Sequence, residues 1–224
     1  MNHSELLFED YCRRTGIAAI KFPTASSRTP DYRLDYWGYE VICEVKEIDK
    51  NSYEKHLEAL SPEKWGEEEC VYYGGSPGDR LRKKIADAAP QLKAVSQGIL
   101  PTLLLVWNSV ANYPEICDDY AVSVSMFGYE AALISNQVAP EGGAQILRRW
   151  HGPKKRITPQ CNTSLSAIGI LQSLGSNLSV RIFHNPFATK PLDHARFSPT
   201  NCVHFVPADD PQHNFNNWRE VDGT

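Results

Sequence analysis

Two carboxylates and an ammonium group occur in a segment whose other residues are largely apolar. Asp31 follows Pro30, and Glu44 and Lys46 lie further along in the strand-like run of residues 39–48. Burying charged groups is unfavourable unless they are paired or bind a metal. Carboxylate oxygens suit hard cations such as Mg²⁺, and an ammonium group can position a water or stabilise developing negative charge. These residue types therefore indicate a metal-and-water site.

A β-hairpin would bring the three side chains together. The residues before Gly38 alternate between polar and apolar, and those after it form the returning strand. A loop of residues 38 and 39 would place Asp31 opposite Lys46. Because side chains alternate between the two faces of a strand, Asp31, Glu44 and Lys46 would share one face. The alternative is an exposed hairpin in which Asp31 and Lys46 form only a cross-strand ion pair.

The order Pro30-Asp31 followed by Glu44-Val45-Lys46 resembles the motif of the PD-(D/E)XK nuclease superfamily, which has the restriction-endonuclease-like fold. The resemblance implies that Asp31 and Glu44 bind Mg²⁺ or Mn²⁺. It also implies that the backbone carbonyl of Val45 completes the metal shell and that Lys46 orients or activates the attacking water.

Two predicted helices match further parts of that motif. Glu9 corresponds to an additional metal-binding Glu on the preceding helix of many members, with Glu5 as the rival position. Gln91 corresponds to a supporting Gln on the later helix. Val95 stands where some exonuclease-like members have Tyr, and this departure puts a role for Gln91 in doubt.

The function implied by the resemblance is a Mg-dependent nuclease that hydrolyses phosphodiester bonds, with DNA favoured over RNA as the partner. The alternative is a non-catalytic nucleic-acid-binding or protein-interaction module on a degenerate nuclease fold, since fold alone does not determine function. The sequence leaves open whether cleavage is endo or exo, whether it is sequence-specific, and the oligomeric state, a homodimer included.

Basic residues that could contact nucleic acid are concentrated in two stretches. The chain has 23 Lys and Arg against 27 Asp and Glu, so phosphate binding must depend on local patches. A plain solvated surface is the alternative for each stretch. The candidates are Arg82, Lys83 and Lys84 on a helix that Asp79 opens, and Arg148, Arg149, Lys154, Lys155 and Arg156 on a loop around Trp150 and His151.

The order of predicted elements favours an α/β protein with a restriction-endonuclease-like core, in which helices flank a central mixed β-sheet, plus a strand-rich C-terminal extension. We predict one domain over residues 1–224, with the nuclease-like core at 4–108 and an extension of the same sheet at 109–224. Residues 49–79 form a polar insertion beside the site, either a lid or a flexible loop.

Individual elements follow from local patterns. Ser4 should cap the first helix, and Pro90 should kink or break a later helix near Ala89. Strands are predicted at 17–22, 102–107, 120–127, 164–171, 178–183 and 202–206, with a helix at 127–135.

The remaining features concern compartment and metal chemistry. Six dispersed cysteines without a Cys-x-x-Cys pair predict reduced thiols in a cytoplasmic protein. The N-terminal residues lack the pattern of a signal peptide, and no apolar run approaches the length of a membrane span. His184, His194 and His204 lack the spacing of a metal motif and are predicted to be structural or surface residues.

Overall fold

The structure is a computed structural model that describes residues 2–23, 29–52, 54–55, 76–110, 114–138, 144–175, 177–208 and 218–221. The helices are α1 (His3–Thr15), α2 (Asp79–Ser96) and α3 (Asp119–Phe127), with a short 3-10 helix at Pro114–Cys117. The strands are β1 (Ala18–Lys21), β2 (Tyr32–Tyr36), β3 (Tyr39–Ile48), β4 (Thr102–Asn108), β5 (Glu130–Val138), β6 (Ala144–His151), β7 (Ala167–Leu174), β8 (Asn177–His184), β9 (Cys202–Pro207) and β10 (Trp218–Val221).

Eight strands form one mixed sheet in the order β1-β2-β3-β4-β7-β8-β9-β10. The first three are antiparallel, β4 runs parallel to both β3 and β7, and β8 runs parallel to β9. The strands of the C-terminal half thus continue the sheet of the N-terminal half, whereas β5 and β6 form a separate two-stranded ribbon. The prediction of an α/β fold with a helix-flanked mixed sheet is confirmed.

The two faces of β3 pack against different helices. Its odd-numbered residues join an apolar cluster with α1, which contains Phe8, Tyr11, Val41, Cys43 and Val45. Its even-numbered apolar residues join a second cluster with α2 and α3, which contains Ile42, Ile48, Leu81, Ile85 and Val122. Glu44 and Lys46 are even-numbered and therefore belong to the face that α2 covers.

The β2–β3 hairpin differs from its prediction by a shift of two residues in pairing. Tyr36 lies opposite Tyr39, so the loop consists of Trp37 and Gly38 rather than residues 38 and 39. Trp37 has φ 53° and Gly38 has φ 78°, and positive φ at both positions is what a type I′ hairpin turn requires. A shift of two preserves which residues share a face, because side chains alternate with period two.

The predicted cap of α1 was wrong, and of the kink or break predicted at Pro90 the break does not occur. Asn2, not Ser4, caps α1, since its side-chain oxygen accepts the N–H of Glu5 at 2.9 Å. Pro90 does not break α2, which continues to Ser96. Pro90 is exposed, so the carbonyl group that loses its helical donor lies on the solvent side, where such a loss is tolerated.

The elements between β4 and β7 were also predicted wrongly. Residues 119–127 form α3 rather than a strand, and the segment predicted as a helix at 127–135 contributes to β5. Residues 121–127 are all buried. Their alternation of apolar and small residues therefore does not mark one exposed face, and it cannot distinguish a strand from a helix. The side chain of Asp118 caps α3 by accepting the N–H of Ala121 at 2.7 Å.

Other predicted features can be placed only in part. Residues 53 and 56–75 of the polar insertion lie outside the described residues. The described cysteines are free thiols, of which Cys12, Cys43 and Cys117 are buried. Within the described ranges, no helix is both long enough and apolar enough to cross a membrane.

Candidate functional site

The regular ladder between β2 and β3 stops just before the predicted site. Continuing its register places Asp31 opposite Glu44, not Lys46 as predicted, and Pro30 opposite Val45. Proline has no N–H to donate to the Val45 carbonyl. The N–H and C=O of a strand residue point towards the same neighbouring strand, so the Val45 carbonyl faces this gap in the ladder.

Asp31 occupies the gap. Its Oδ2 atom accepts the N–H of Val45 at 2.8 Å, which is the donor that the Pro30 carbonyl would accept in a regular ladder. The Oε2 atom of Glu44 accepts the N–H of Asp31 at 3.1 Å, and on the β1 side Phe22 donates to the Asp31 carbonyl at 2.9 Å. The two carboxylates and the Val45 carbonyl therefore meet at one point of the sheet.

Glu44 is the most deeply buried acidic group of the site, with 1% of its side chain exposed. Its Oε1 atom forms an ion pair with the ammonium group of Lys46. Burial raises the pKa of Glu44, and the charge of Asp31 raises it further, while the bond to Lys46 opposes both effects. The cross-strand pair between Asp31 and Lys46 that a plain hairpin predicts is replaced by this pair within β3.

Glu9, the predicted additional metal ligand, is engaged elsewhere. Its Oε1 atom accepts the hydroxyl of Tyr32 at 2.8 Å, and burial together with this bond raises the pKa of Tyr32. Its rival Glu5 pairs with Lys21 on the neighbouring strand β1. Among the described residues, no group of three or more His, Cys, Asp or Glu side chains is arranged to hold a metal ion. The structure therefore brings Asp31 and Glu44 together without Glu9.

The remaining donor set suits a hard cation. It consists of two carboxylates and a backbone carbonyl, all oxygen, and Mg²⁺ sites in proteins commonly use one or two carboxylates and retain several waters. A buried carboxylate whose pKa is raised by burial and by a second carboxylate is also a group that a divalent cation would relieve of its electrostatic cost. Asp31, Glu44 and Val45 thus fit such an ion.

The first basic stretch divides into one structural and two accessible residues. Arg82 is buried, and its guanidinium donates to the carbonyls of Val124 and Pro77, to Asp79 and to the hydroxyl of Tyr129. The prediction that Arg82 contacts phosphate was therefore wrong, because its donors join α2 to its neighbours.

Lys83 is exposed, and Lys84 is half-buried beside the predicted site. Burial lowers the pKa of Lys84, and among the smaller influences the charge of Lys46 lowers it further. Lys84 lies on the helix that packs against the face of β3 carrying Glu44 and Lys46, and a phosphate bound there would meet positive charge.

The second basic stretch lies at the end of the β5–β6 ribbon. Arg148, Trp150 and His151 belong to strand β6, not to a loop as predicted, and the loop begins at Gly152. Lys154, Lys155 and Arg156 are exposed on that loop, and the side chain of Arg149 lies outside the described residues.

Sequence reasoning missed a histidine cluster. His184 Nε2 lies 2.9 Å from His204 Nδ1, and the ring of His194 is centred 6.0 and 6.2 Å from theirs. His184 and His204 are buried, and burial lowers the pKa of His184 to about 3 and that of His204 to about 4. The parallel pairing of β8 with β9 brings His184 and His204 together, and no local motif predicts that pairing.

Comparisons of the chain with protein-family models, with curated proteins and with solved structures found no match.

Proposed function

We propose that this chain is a divalent-metal-dependent nuclease of the PD-(D/E)XK type that hydrolyses phosphodiester bonds in nucleic acid. The observation that carries the proposal is a pair of hydrogen bonds, from the Val45 N–H to Asp31 and from the Asp31 N–H to Glu44. They bring the two carboxylates together where Pro30 interrupts the β2–β3 ladder. The strand order β1-β2-β3-β4, with α1 and α2 packed on opposite faces of β3, supports a restriction-endonuclease-like core at residues 4–108.

Asp31 and Glu44 would hold Mg²⁺ or Mn²⁺, assisted by the Val45 carbonyl. The bound ion would supply charge neutralisation at the phosphate and would lower the pKa of a bound water. The first contribution of the protein's own residues is to fix the positions of the two carboxylates. The bond from the Val45 N–H to Asp31 and the bond from the Asp31 N–H to Glu44 hold both carboxylates before any ligand arrives.

Lys46 contributes a mobile cation at the edge of the site. About a quarter of its side chain is exposed (26%), against 1% for Glu44, so the ammonium group lies between the buried carboxylate and solvent. If Glu44 held a metal ion in place of this partner, the ammonium group would be available to a water or to a phosphate oxygen. Its N–H donors would then orient the attacking water and stabilise the charge that develops on the phosphate.

We propose Lys83 and Lys84 as phosphate contacts. Both are on α2, which packs over the face of β3 that carries Glu44 and Lys46. Lysine ammonium groups bind phosphate without reading base identity, so this contact positions the backbone and carries no sequence specificity. We propose DNA as the preferred substrate. Its phosphodiester would lie between α2 and the open end of the β2–β3 hairpin, where Asp31 and Glu44 are found.

A non-catalytic nucleic-acid-binding or protein-interaction module is the second candidate, and one observation favours it. The Lys46 ammonium group already pairs with the buried Glu44 carboxylate, so this carboxylate has a counter-charge without an ion. Such a module would bind nucleic acid or protein equally well with and without divalent metal.

The deciding experiment incubates the full chain with supercoiled plasmid, linear duplex DNA, single-stranded DNA and total RNA, each with Mg²⁺ or with EDTA. A nuclease cleaves at least one substrate only when the metal is present. Absence of cleavage on every substrate, together with metal-independent binding, would replace the nuclease by the binding module.

A further inference from the structure

The β5–β6 ribbon exposes apolar side chains outside the main sheet. Leu133 is 51% exposed, and Ile134, Ile146, Leu147 and Trp150 are also exposed. Cations occur among them and on the following loop. Apolar groups that remain in water beside clustered positive charge indicate a binding surface.

A cavity of about 330 Å³ lies on one side of this ribbon, lined by Leu133, Arg148, Trp150, His151 and Lys155. The pairing of Leu133 with Arg148 and of Ala131 with Trp150 places the side chains of Leu133, Arg148 and Trp150 on one face of the ribbon. The volume is at the lower end of the range for small-ligand pockets, which begins at about 300 Å³. The cavity therefore has room for one small group.

The lining combines an aromatic surface with positive charge. The guanidinium carbon of Arg148 lies 6.0 Å from the centre of the Trp150 ring, the outer limit of a cation–π contact, so the indole is not tightly covered. Arg148 and Lys155 are exposed. His151 is buried, and burial with the nearby Lys155 lowers its pKa to about 3, so its ring is neutral. A suitable ligand has a flat apolar part and an attached anion.

We propose that this cavity binds one unpaired nucleotide, with its base against Trp150 and its phosphate on Arg148 and Lys155. The inference rests on the proposed function for the identity of the ligand as nucleic acid, and it names single-stranded or locally unpaired strands as the preferred form. In a duplex both faces of a base are stacked on its neighbours, so only an unpaired base can present its face to Trp150.

The ribbon is connected to the candidate catalytic site through α2. Lys154, on the loop after β6, lies 3.5 Å from the carboxylate of Asp79, the first residue of α2. Lys84 is five residues further along that helix, about 7.5 Å in helical rise. A strand that binds Arg148 and Lys155 would therefore lie at the end of the helix that carries Lys84.

A second copy of the chain is the competing occupant of the apolar surface. A two-fold contact centred on the cavity would bring Arg148 and Lys155 close to the same residues of the other copy, and juxtaposed like charges are unfavourable. A polyanion instead gains from both cations. The charge of the lining therefore favours the nucleotide over self-association.

The test measures binding in EDTA, where the proposed cleavage cannot occur. Fluorescence anisotropy would compare a labelled oligothymidylate, an abasic strand of equal length and a blunt duplex, using wild type, Trp150→Ala and Arg148→Gln. The matched control is Trp37→Ala, which removes an indole that is 87% exposed at the turn of the β2–β3 hairpin. Sedimentation of each variant would follow self-association.

Wild type should bind oligothymidylate more tightly than either the abasic strand or the duplex. Trp150→Ala should weaken oligothymidylate binding by roughly 5- to 150-fold, the range for loss of one base–aromatic stack, and leave abasic binding unchanged. Arg148→Gln should weaken the binding of both the oligothymidylate and the abasic strand, whereas Trp37→Ala should weaken the binding of neither. Equal losses by Trp150→Ala on both strands, or no loss, would overturn the inference.

A dimer that dissociates in Trp150→Ala while oligonucleotide affinity stays constant would also overturn it and assign the surface to a second copy. The proposed nuclease activity fails or succeeds separately, since it is measured with Mg²⁺ on cleavage rather than in EDTA on binding.

Discussion

Glu44 and Lys46 form an ion pair from the same face of β3, with the carboxylate buried and the ammonium group partly in solvent. The metal-free protein thus supplies its own cation beside the carboxylate that we propose as a metal ligand. Metal binding at this point must compete with an intramolecular partner, and the displaced Lys46 becomes available where the reaction would occur.

The buried Glu44 should limit the stability of the metal-free protein. Its pKa is raised in the folded state by burial and by Asp31, so folding becomes less favourable as the pH rises from the ordinary value of 4.5 through the folded pKa. Glu44→Gln removes the ionisation, and the variant should therefore unfold at a higher temperature than wild type at pH 7 in EDTA. Glu40→Gln, on the same strand and face, is the control and should give no gain.

Added Mg²⁺ should reverse that order, because it stabilises a folded state that binds it and has no complete site in Glu44→Gln. A Glu44→Gln variant that is less stable than wild type in EDTA would contradict the view that ionisation of the buried Glu44 opposes folding.

Lys46→Ala should reduce turnover on the order of 10²-fold or more while metal binding persists, because both carboxylates remain. Lys46→Arg should not restore the rate, since a planar guanidinium cannot replace a compact ammonium group. The measurements are single-turnover cleavage and Mn²⁺ binding on the same preparations. If Lys46 serves only as the partner of the buried Glu44, its loss would destabilise the fold and leave cleavage intact.

The two kinds of cation on α2 should behave differently. Lys83→Gln with Lys84→Gln should lower the slope of log affinity against log salt on duplex DNA by about 1.8, since each phosphate contact contributes about 0.9. Arg82→Gln should leave the slope unchanged and destabilise the fold by about 1–3 kcal/mol, because buried carbonyl acceptors lose their donor. An unchanged slope in the lysine variant would show that Lys83 and Lys84 do not contact phosphate and are only solvated.

The buried histidines should make stability depend on pH. Folded pKa values of about 3 for His184 and about 4 for His204 lie below the ordinary 6.5, so the folded state holds both rings neutral. Their contribution is fully present above pH 6.5 and is lost as the pH falls towards 4. Urea unfolding from pH 7 to pH 5 should show this loss. His204→Gln should flatten the profile, whereas His3→Gln, at an exposed position, should preserve it.

The prediction that the site residues share a face depended on whether their positions are odd or even, and not on the exact pairing of the two strands. Asp31, Glu44 and Lys46 could be placed on one face from the alternation of residues, and a wrong loop assignment did not matter because the error was an even number of residues. The exact turn could not be predicted, since Trp37 adopts a positive φ that its residue type disfavours.

Features that depend on tertiary contacts were not predictable in the same way. The burial of Arg82 depends on α3 and Tyr129, which lie more than 40 residues away along the chain. The strand-like pattern of residues 120–127 reflected a helix in which residues 121–127 are all buried, rather than a half-exposed strand. The engagement of Glu9 by Tyr32 likewise requires the packing of α1 on β2.

The central claim is that Asp31 and Glu44 together hold the metal on which phosphodiester cleavage depends. The most direct measurement is the Mg²⁺-dependent cleavage rate of wild type, Asp31→Asn, Glu44→Gln and the control Glu40→Gln on one substrate, with folding checked by melting curves. We predict that both site variants lose cleavage by at least about 10²-fold while Glu40→Gln retains it. Wild-type rates in folded Asp31→Asn or Glu44→Gln would contradict the account.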